Sequence, residues 1–171
     1  MCLRQIPITS DQEKVSNVEQ GLVKGKEAVS LDTGDGQSWS LLGNAYLCHF
    51  FQVSQNPKTL KQAMSAYNQA EKDVVAKSSP ELHYNRGIAL KYEEEFHAAL
   101  TSFSSASALD PTWSEPKQQT NQMIKYLQVL MLQFSEHFQI IFIPGYCYID
   151  TLERKVKTEE ALITDILPGP G

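Results

Sequence analysis

The chain has 171 residues, of which 42% are hydrophobic and 20% charged, and its net charge at pH 7 is −5. This length suits one domain of ordinary size, and the hydrophobic content excludes wholesale disorder. The acidic balance disfavours binding to nucleic acid or to anionic membranes, because both need a basic protein surface. No apolar run approaches the ~18 residues of a membrane span, and the cysteines are few and far apart. We therefore expect a soluble intracellular protein with free thiols.

The first predicted helix covers residues 16–31, after an N-terminal segment, residues 1–15, that we expect to be unstructured. Its apolar residues recur at helical spacing, as in the second helix of an incomplete repeat over residues 16–35. These residues are Val18, Leu22, Ala28, Val29 and Leu31. Asp32-Thr33-Gly34 follows, and these residue types favour a helix end and a turn.

The next segment, residues 36–79, carries the pattern of a helical pair. Its first half has the Trp-x2-Leu-Gly-x2-Tyr spacing that opens a tetratricopeptide repeat, and its second half has the Ala-x3-aromatic-x2-Ala spacing that closes one. The residues at these positions are Trp39, Leu42, Gly43, Tyr46, Ala63, Tyr67 and Ala70. Extra residues separate the two halves. We expect them to form an enlarged loop over residues 49–60, with a turn at Asn56-Pro57.

Residues 80–113 match the same repeat without a gap, at Gly87, Ala99, Phe103, Ala106 and Pro111. Glycine and alanine allow paired helices to approach closely, and the aromatic rings fill the space between them. Ser79 is the expected N-cap, with Pro80 at the first helical position, and Asp110-Pro111 ends the second helix. The pattern therefore predicts a second antiparallel helical pair.

A further amphipathic helix is predicted over residues 115–134, with Met123, Leu127, Leu130 and Phe134 on one stripe. Such a helix typically caps a helical array. The tail, residues 135–171, has two β-prone runs around Pro144-Gly145, and it either forms a β-hairpin or stays disordered. The predicted fold class is all-α, a tetratricopeptide-repeat helical solenoid over residues 16–134 followed by this divergent tail.

Catalytic chemistry finds little support in the sequence. Asp32-Thr33-Gly34 spells the aspartic-protease triplet, but those enzymes need two such carboxylates in a β-rich fold. The histidines show no metal-ligand spacing with one another or with the cysteines, and no glycine-rich phosphate loop is present. The acidic run Glu93-Glu94-Glu95 is typical of a solvated turn between helices. We expect no enzymatic activity, no metal site and no cofactor.

Several runs together resemble one family: residues 36–47, 55–58, 66–72, 91–94 and 108–113. The chain is similar, over about residues 16–130, to stress-responsive tetratricopeptide-repeat cofactors of a transcriptional acetyltransferase. The resemblance implies a non-catalytic adaptor, an α-solenoid followed by an OB-fold domain. It implies a role in the nucleus as a coactivator cofactor in stress and DNA-damage responses. It also implies, in the cytoplasm, recognition of the N-terminal peptide of nascent tubulin at the ribosome, which triggers decay of tubulin messages.

Both ends of the chain depart from this family. The first repeats have no counterpart here, residues 1–15 match nothing in the family, and residues 135–171 do not resemble the OB-fold domain. We therefore expect a truncated or variant form of the family's protein.

In a tetratricopeptide array, fixed positions of the first helix of each repeat line the concave groove. The second position holds Gln37, Glu81 and Glu115 in three successive units, and the fifth holds Ser40, Tyr84 and Gln118. The ninth holds Asn44, Ile88 and Gln122, and the twelfth holds Leu47, Lys91 and Lys125. The predicted peptide-binding residues among these are Gln37, Asn44, Glu81, Tyr84, Lys91, Glu115, Gln118 and Gln122.

Glu81 and Glu115 stack on one edge of the predicted groove. Two carboxylates without a neighbouring cation attract a basic group, and amide side chains hold the backbone of a peptide ligand. This pattern fits a short extended peptide with an early arginine, as at the tubulin N-terminus. Alternatively, both glutamates simply favour the positive ends of their helices, and the two explanations are compatible.

Four further residues of the two repeats are not expected to bind a peptide in the groove. Asn85, at the sixth position, is expected to face away from the groove. Arg86 is expected to form an ion pair between helices or on the surface, for example with Glu93 or Glu94, rather than to contact a ligand. Trp39 and Trp113 are expected to be packing residues.

Three functions remain open from the residues alone. The first is an adaptor that binds a basic peptide in the groove. The second is a scaffold that bridges large proteins through the convex face or the Asn56-Pro57 loop. The third is a truncated form that lacks full activity. Charge reversal at Glu81 and Glu115 separates the first from the second.

Overall fold

The structure, a computed structural model, describes residues 11–137 of the chain. The chain divides into two units, Met1–Pro116 and Lys117–Gly171. The described elements of the first unit are α1 (Asp11–Leu31), α2 (Gly36–His49), a π-helical turn (Phe50–Ser54), α3 (Pro57–Ala70), α4 (Val74–Lys77), α5 (Pro80–Tyr92) and α6 (Phe96–Leu109). Helix α7 (Glu115–His137) begins at the end of the first unit and continues in the second. The prediction of an all-α fold is confirmed for the described residues.

Two helical pairs form the body of the first unit. Helix α2 packs on α3, and α5 packs on α6, as the repeat pattern predicts. A Cβ atom on Gly87 would lie 2.7 Å from the Phe103 ring, and one on Gly43 would lie 2.6 Å from Cδ1 of Tyr67. Each signature glycine therefore lies directly against the signature aromatic ring of its partner helix.

Side-chain caps fix where these helices begin. Asp35 accepts hydrogen bonds from the backbone N–H groups of Gln37 and Ser38, at 3.0 and 3.2 Å, ahead of α2. Ser79 accepts from the Leu82 N–H and precedes Pro80, which confirms the predicted start of α5. Such caps satisfy backbone donors that have no partner within the helix. Helix α6 ends at Leu109, which confirms the stop at Asp110-Pro111.

The core lies between the helices of the first repeat and α5, which contributes Leu82 and Ala89. Its buried members include the signature residues Leu42, Tyr46, Ala63, Tyr67 and Ala70, together with Val29 from α1. Helix α1 packs on α2, as expected for the second helix of an earlier repeat. The predicted end of α1 at Leu31 is confirmed, but its predicted start was wrong, because the helix already begins at Asp11, within the segment expected to be unstructured. Leu31, assigned to the apolar positions of this helix, is 88% exposed.

The predicted enlarged loop over residues 49–60 was also wrong. Helix α2 continues to His49 and passes directly into the π-helical turn, and α3 begins at Pro57. The turn ends at Gln55, whose backbone is left-handed (φ 47°) and whose N–H donates to the Phe50 carbonyl at 2.9 Å. Phe50 packs against the core, so the extra residues stay helical to keep this contact. Only Gln55 and Asn56 connect the two helical segments.

Helix α7 begins at Glu115 and extends to His137, so residues 135–137 are helical although the sequence assigned them to the tail. Met123 and Leu127, from its predicted apolar stripe, are buried. The expected β-hairpin or disordered tail, beyond residue 137, and residues 1–10 lie outside the described residues. Among the helices that the structure describes, none is long and apolar enough to cross a membrane.

Candidate peptide-binding groove

The groove positions predicted from the sequence fall mainly on α2 and α5, the first helices of the two repeats, which contact each other. Gln37 and Glu81 are exposed near the N-terminal ends of these helices. Asn44, Tyr84 and Lys91 are half-buried further along them, together with the groove positions Ser40 and Ile88. Within the second unit, Gln118 and Gln122 are exposed on α7, and their groove role stays a prediction.

Asn44 is the centre of a polar network that joins three helices. Its Oδ1 accepts hydrogen bonds from the Tyr67 hydroxyl of α3, at 2.9 Å, and from Nδ2 of Asn85 in α5, at 3.0 Å. Two hydrogen bonds to one amide oxygen use both of its lone pairs and hold the amide plane in one orientation. The Asn44 Nδ2 group is thereby held in place, and its two N–H groups donate to none of the described side chains.

The placement of Asn85 differs from the expectation that it faces away from the groove. Its amide reaches the Asn44 amide, so the two first helices are joined side chain to side chain. The sixth position of one repeat meets the ninth position of the preceding one because adjacent repeats are offset along the array. Assigning positions within a single repeat does not predict this contact, because it joins two successive repeats.

Tyr84 lies among aromatic side chains and close to a carboxylate. Its ring centroid is 4.7 Å from that of Trp113 and 5.8 Å from that of Phe103. Burial raises the pKa of the Tyr84 hydroxyl, and the negative charge of Glu115 raises that pKa further. Trp113, whose ring contacts Tyr84, is only two residues before Glu115, so two of the predicted groove residues belong to the same region of the first unit.

Glu81 is three residues before Tyr84 on α5, so both lie on one face of that helix. Glu81 and Glu115 are exposed, and both occupy the first turn of their helices. Neither carboxylate forms an ion pair with any residue in the described part of the chain. The first-turn positions also match the helix-dipole explanation, so the geometry is compatible with both peptide binding and helix stabilisation.

Arg86 forms its ion pair with a different partner from the one expected. Its Nε lies 3.6 Å from Oε2 of Glu71, at the end of α3, and its Nη1 donates to the Ser102 hydroxyl of α6 at 2.8 Å. Glu71 also lies 3.7 Å from Nδ1 of the buried His83. The expected ion pair between helices is therefore confirmed, but its partner is Glu71 and not Glu93 or Glu94, which lie in the turn after α5.

The two tryptophans pack as predicted. Trp39 packs against the core, and its Nε1 donates to the Thr33 carbonyl at 2.9 Å. The Trp113 ring packs against that of Tyr84 at an interplanar angle of 47°. Among the described residues, no group of His, Cys, Asp and Glu side chains could hold a metal ion.

Comparison with known proteins gives independent evidence for the repeats. Over 131 residues, 76% of this chain, the sequence is 48% identical to a mouse (Mus musculus) protein and 47% identical to its human (Homo sapiens) counterpart. Both are named tetratricopeptide repeat protein 5. The chain is similar to tetratricopeptide repeat protein 5. The protein of that name from cattle (Bos taurus) is 48% identical over 128 residues.

This similarity confirms the resemblance expected from the residue runs. No family model matches the chain. The matched residues cover 30% of the mouse and human forms of tetratricopeptide repeat protein 5 and 29% of the bovine form. The chain thus spans less than a third of the length of these relatives.

Proposed function

We propose that the chain is a non-catalytic adaptor that binds an extended peptide carrying a basic residue in the groove formed by α2, α5 and the start of α7. The observation that carries this proposal is the grouping of Glu81, Tyr84 and Glu115. Glu115 is two residues after Trp113, whose ring centroid is 4.7 Å from that of Tyr84, and Glu81 lies on the same helix face as Tyr84. An arginine fits such a site because it forms charge-assisted hydrogen bonds with carboxylates and stacks on aromatic rings.

The Asn44 amide supplies the second element of recognition. Its oxygen is held by Tyr67 and Asn85, so its N–H groups are positioned before a ligand binds. A preorganised donor costs little entropy when it binds the carbonyl of an extended peptide backbone. The carboxylates would then select the basic side chain, while the amide would hold the backbone at a defined register.

The resemblance to tetratricopeptide repeat protein 5 supplies the candidate partners. By that resemblance, the peptide is the N-terminus of nascent tubulin at the ribosome, and its recognition leads to decay of tubulin mRNA. The same resemblance supports a nuclear role as a coactivator cofactor in the stress response, so both cytoplasm and nucleus are proposed locations.

The test is a fluorescence-anisotropy titration of a labelled peptide that begins Met-Arg-Glu-Ile and continues for about ten residues. The full chain is compared with a Glu81→Lys/Glu115→Lys variant. A matched control, Glu19→Lys/Glu27→Lys, makes the same change in net charge on exposed positions of α1. Circular dichroism of all three proteins checks that the helices are retained.

We expect saturable binding by the full chain and by the α1 control, and a loss of at least tenfold in affinity for the groove variant. An exposed charge pair contributes up to about 1 kcal/mol, and reversal of both carboxylates replaces two attractions with two repulsions of similar size, which together account for a loss of at least tenfold. Equal binding by both variants would show that the carboxylates serve only the helix dipoles. That result would refute the proposal that Glu81 and Glu115 bind the basic residue of the peptide.

A further inference from the structure

Three aromatic rings meet where α2 passes into the π-helical turn and where α5 ends. The ring centroid of Phe51 lies 4.7 Å from that of Tyr92, and that of Phe50 lies 5.1 Å from Phe51 and 6.0 Å from Tyr92. Phe50 packs on the core, but Phe51 is 40% exposed and Tyr92 is 54% exposed. These three residues, the aromatic cluster, present an apolar surface at the C-terminal ends of the two first helices.

Hydrogen bonds hold the segment that follows Phe51, from Ser54 to the start of α3. The Gln55 N–H donates to the Phe50 carbonyl at 2.9 Å, and the Ser54 and Thr59 hydroxyls are 3.2 Å apart. Asn56 then caps α3 by accepting from the Lys58 N–H at 2.9 Å. Because this surface is already ordered, a ligand that covers it loses little free energy to ordering the protein.

An acidic turn, residues 93–95, follows Tyr92 directly. Burial raises the pKa of the Glu93 carboxyl, while the nearby Lys61 lowers that pKa and Glu95 raises it. Three carboxylates thus follow Tyr92 in the chain, against the ammonium groups of Lys91, which directly precedes Tyr92, and of Lys61, whose charge acts on Glu93. A ligand that covers the aromatic cluster would gain from a positive charge beside its apolar side chain.

Helix α5 carries one member of the aromatic cluster, Tyr92, and one of the two predicted groove carboxylates, Glu81, at its opposite ends. Glu81 is the second residue of α5 and Tyr92 is its last. At 1.5 Å per residue, their Cα atoms are about 16 Å apart along the helix axis. An extended peptide covers this distance with about five residues.

We propose that the aromatic cluster is a second anchor of the same groove. It receives an aliphatic side chain that is flanked by a basic residue and lies about five residues from the arginine bound at Glu81 and Glu115. The partner of this groove is thus an extended segment with two basic positions and one apolar position at this spacing. The inference rests on the proposed peptide-binding function, and its test separates the two.

The probes are three labelled synthetic peptides of about twelve residues, otherwise made of glycine and serine. The first contains a single arginine. The second adds a Leu-Lys pair about five residues before the arginine, and the third adds the pair about five residues after it. Anisotropy titrations use the full chain, the variant Phe51→Ser/Tyr92→Ser, and Val23→Ser, which removes an exposed apolar side chain from α1.

We expect one of the two longer-motif peptides to bind the full chain about tenfold more tightly than the arginine-only peptide, since burial of a leucine side chain contributes on this scale. The Phe51→Ser/Tyr92→Ser variant loses this gain, and Val23→Ser keeps it. Tyr92→Ser alone, at the more exposed ring, removes part of the gain without altering the π-helical turn.

Two outcomes distinguish failure of the anchor from failure of the groove. If neither Leu-Lys position raises affinity, while Glu81→Lys/Glu115→Lys still weakens binding, the second anchor is refuted and the proposed function stands. If the peptides bind Glu81→Lys/Glu115→Lys as tightly as the full chain, the proposed function fails. A gain that survives Phe51→Ser/Tyr92→Ser also refutes the anchor.

Discussion

Asn44 and Asn85 belong to the first helices of successive repeats and are joined by a hydrogen bond of 3.0 Å from Asn85 Nδ2 to Asn44 Oδ1. The same oxygen accepts from the Tyr67 hydroxyl, so one half-buried amide links α2, α3 and α5. A buried polar network of this kind fixes the relative register of the helices that it connects. The relative placement of α2, α3 and α5 is thereby set by contacts within the repeat pair.

This network predicts unequal effects of two alanine substitutions. Asn44→Ala removes two hydrogen bonds, those that its oxygen accepts from Tyr67 and from Asn85, and we expect it to lower the free energy of unfolding by about 1–3 kcal/mol. Asn85→Ala removes one bond and should cost about 0.5–1.5 kcal/mol. Urea denaturation of both single variants and the double variant measures their coupling. Strictly additive losses would mean that the two amides do not interact in solution.

Replacing glycine by alanine is expected to destabilise the fold at Gly43, which lies against Tyr67, and to stabilise it at Gly21, which lies in open space. In Gly43→Ala the new methyl group would lie 2.6 Å from Cδ1 of Tyr67, so the helices must separate, at a cost of about 1–3 kcal/mol. Gly21→Ala, within α1, meets no atom within 4 Å and should stabilise by about 0.5–1 kcal/mol through helix propensity. Thermal unfolding measures both. A stabilising Gly43→Ala would contradict the close helix pairing.

The neighbourhood of Tyr84 predicts how its hydroxyl titrates. Its pKa lies above the ordinary value of 10.0, first because of burial and second because of Glu115. The folded state therefore favours the neutral phenol, and this stabilisation is complete below pH 10 and is lost as the pH rises through the raised pKa. In an ultraviolet absorbance titration, Glu115→Gln should lower the Tyr84 pKa but leave it above the ordinary value. Tyr84→Phe identifies the signal, and an unchanged titration would place Glu115 away from Tyr84.

Glu93 predicts a second dependence on pH. Burial, aided by Glu95, raises the pKa of Glu93 above its ordinary 4.5 despite the opposing charge of Lys61. The stability that this carboxyl contributes is present below pH 4.5 and is lost as the pH rises through the raised pKa. Glu93→Gln should therefore be more stable than the native chain at pH 7 but not at pH 4. Chemical denaturation at both pH values tests this, with the exposed Glu19→Gln as control.

The helical pairs could be predicted from the sequence because the repeat spacing encodes contacts directly. Gly43 with Tyr67, and Gly87 with Phe103, are fixed offsets within one repeat, so the pattern implies their packing. The start of α5 was also predictable, since Ser79 and Pro80 act through local backbone chemistry. Such signals lie within a few residues or within one repeat.

The contacts that the sequence did not reveal cross from one repeat to another or depend on packing. Arg86 pairs with Glu71 of the preceding repeat, and Asn85 reaches Asn44, although both were assigned by position within their own repeat. The π-helical turn also escaped prediction. Asn56-Pro57 signals a turn, but the helical course of residues 50–54 depends on Phe50 packing against the core and Tyr92.

The central claim is that Glu81 and Glu115 select a basic residue of a bound peptide, and a charge exchange tests it most directly. Two labelled peptides are compared, one beginning Met-Arg-Glu-Ile and one with its arginine replaced by glutamate. Each is titrated with the native chain and with Glu81→Lys/Glu115→Lys. We expect the native chain to bind only the arginine peptide and the variant to prefer the glutamate peptide. The claim is contradicted if the folded variant keeps the native preference, or if it gains no affinity for the glutamate peptide.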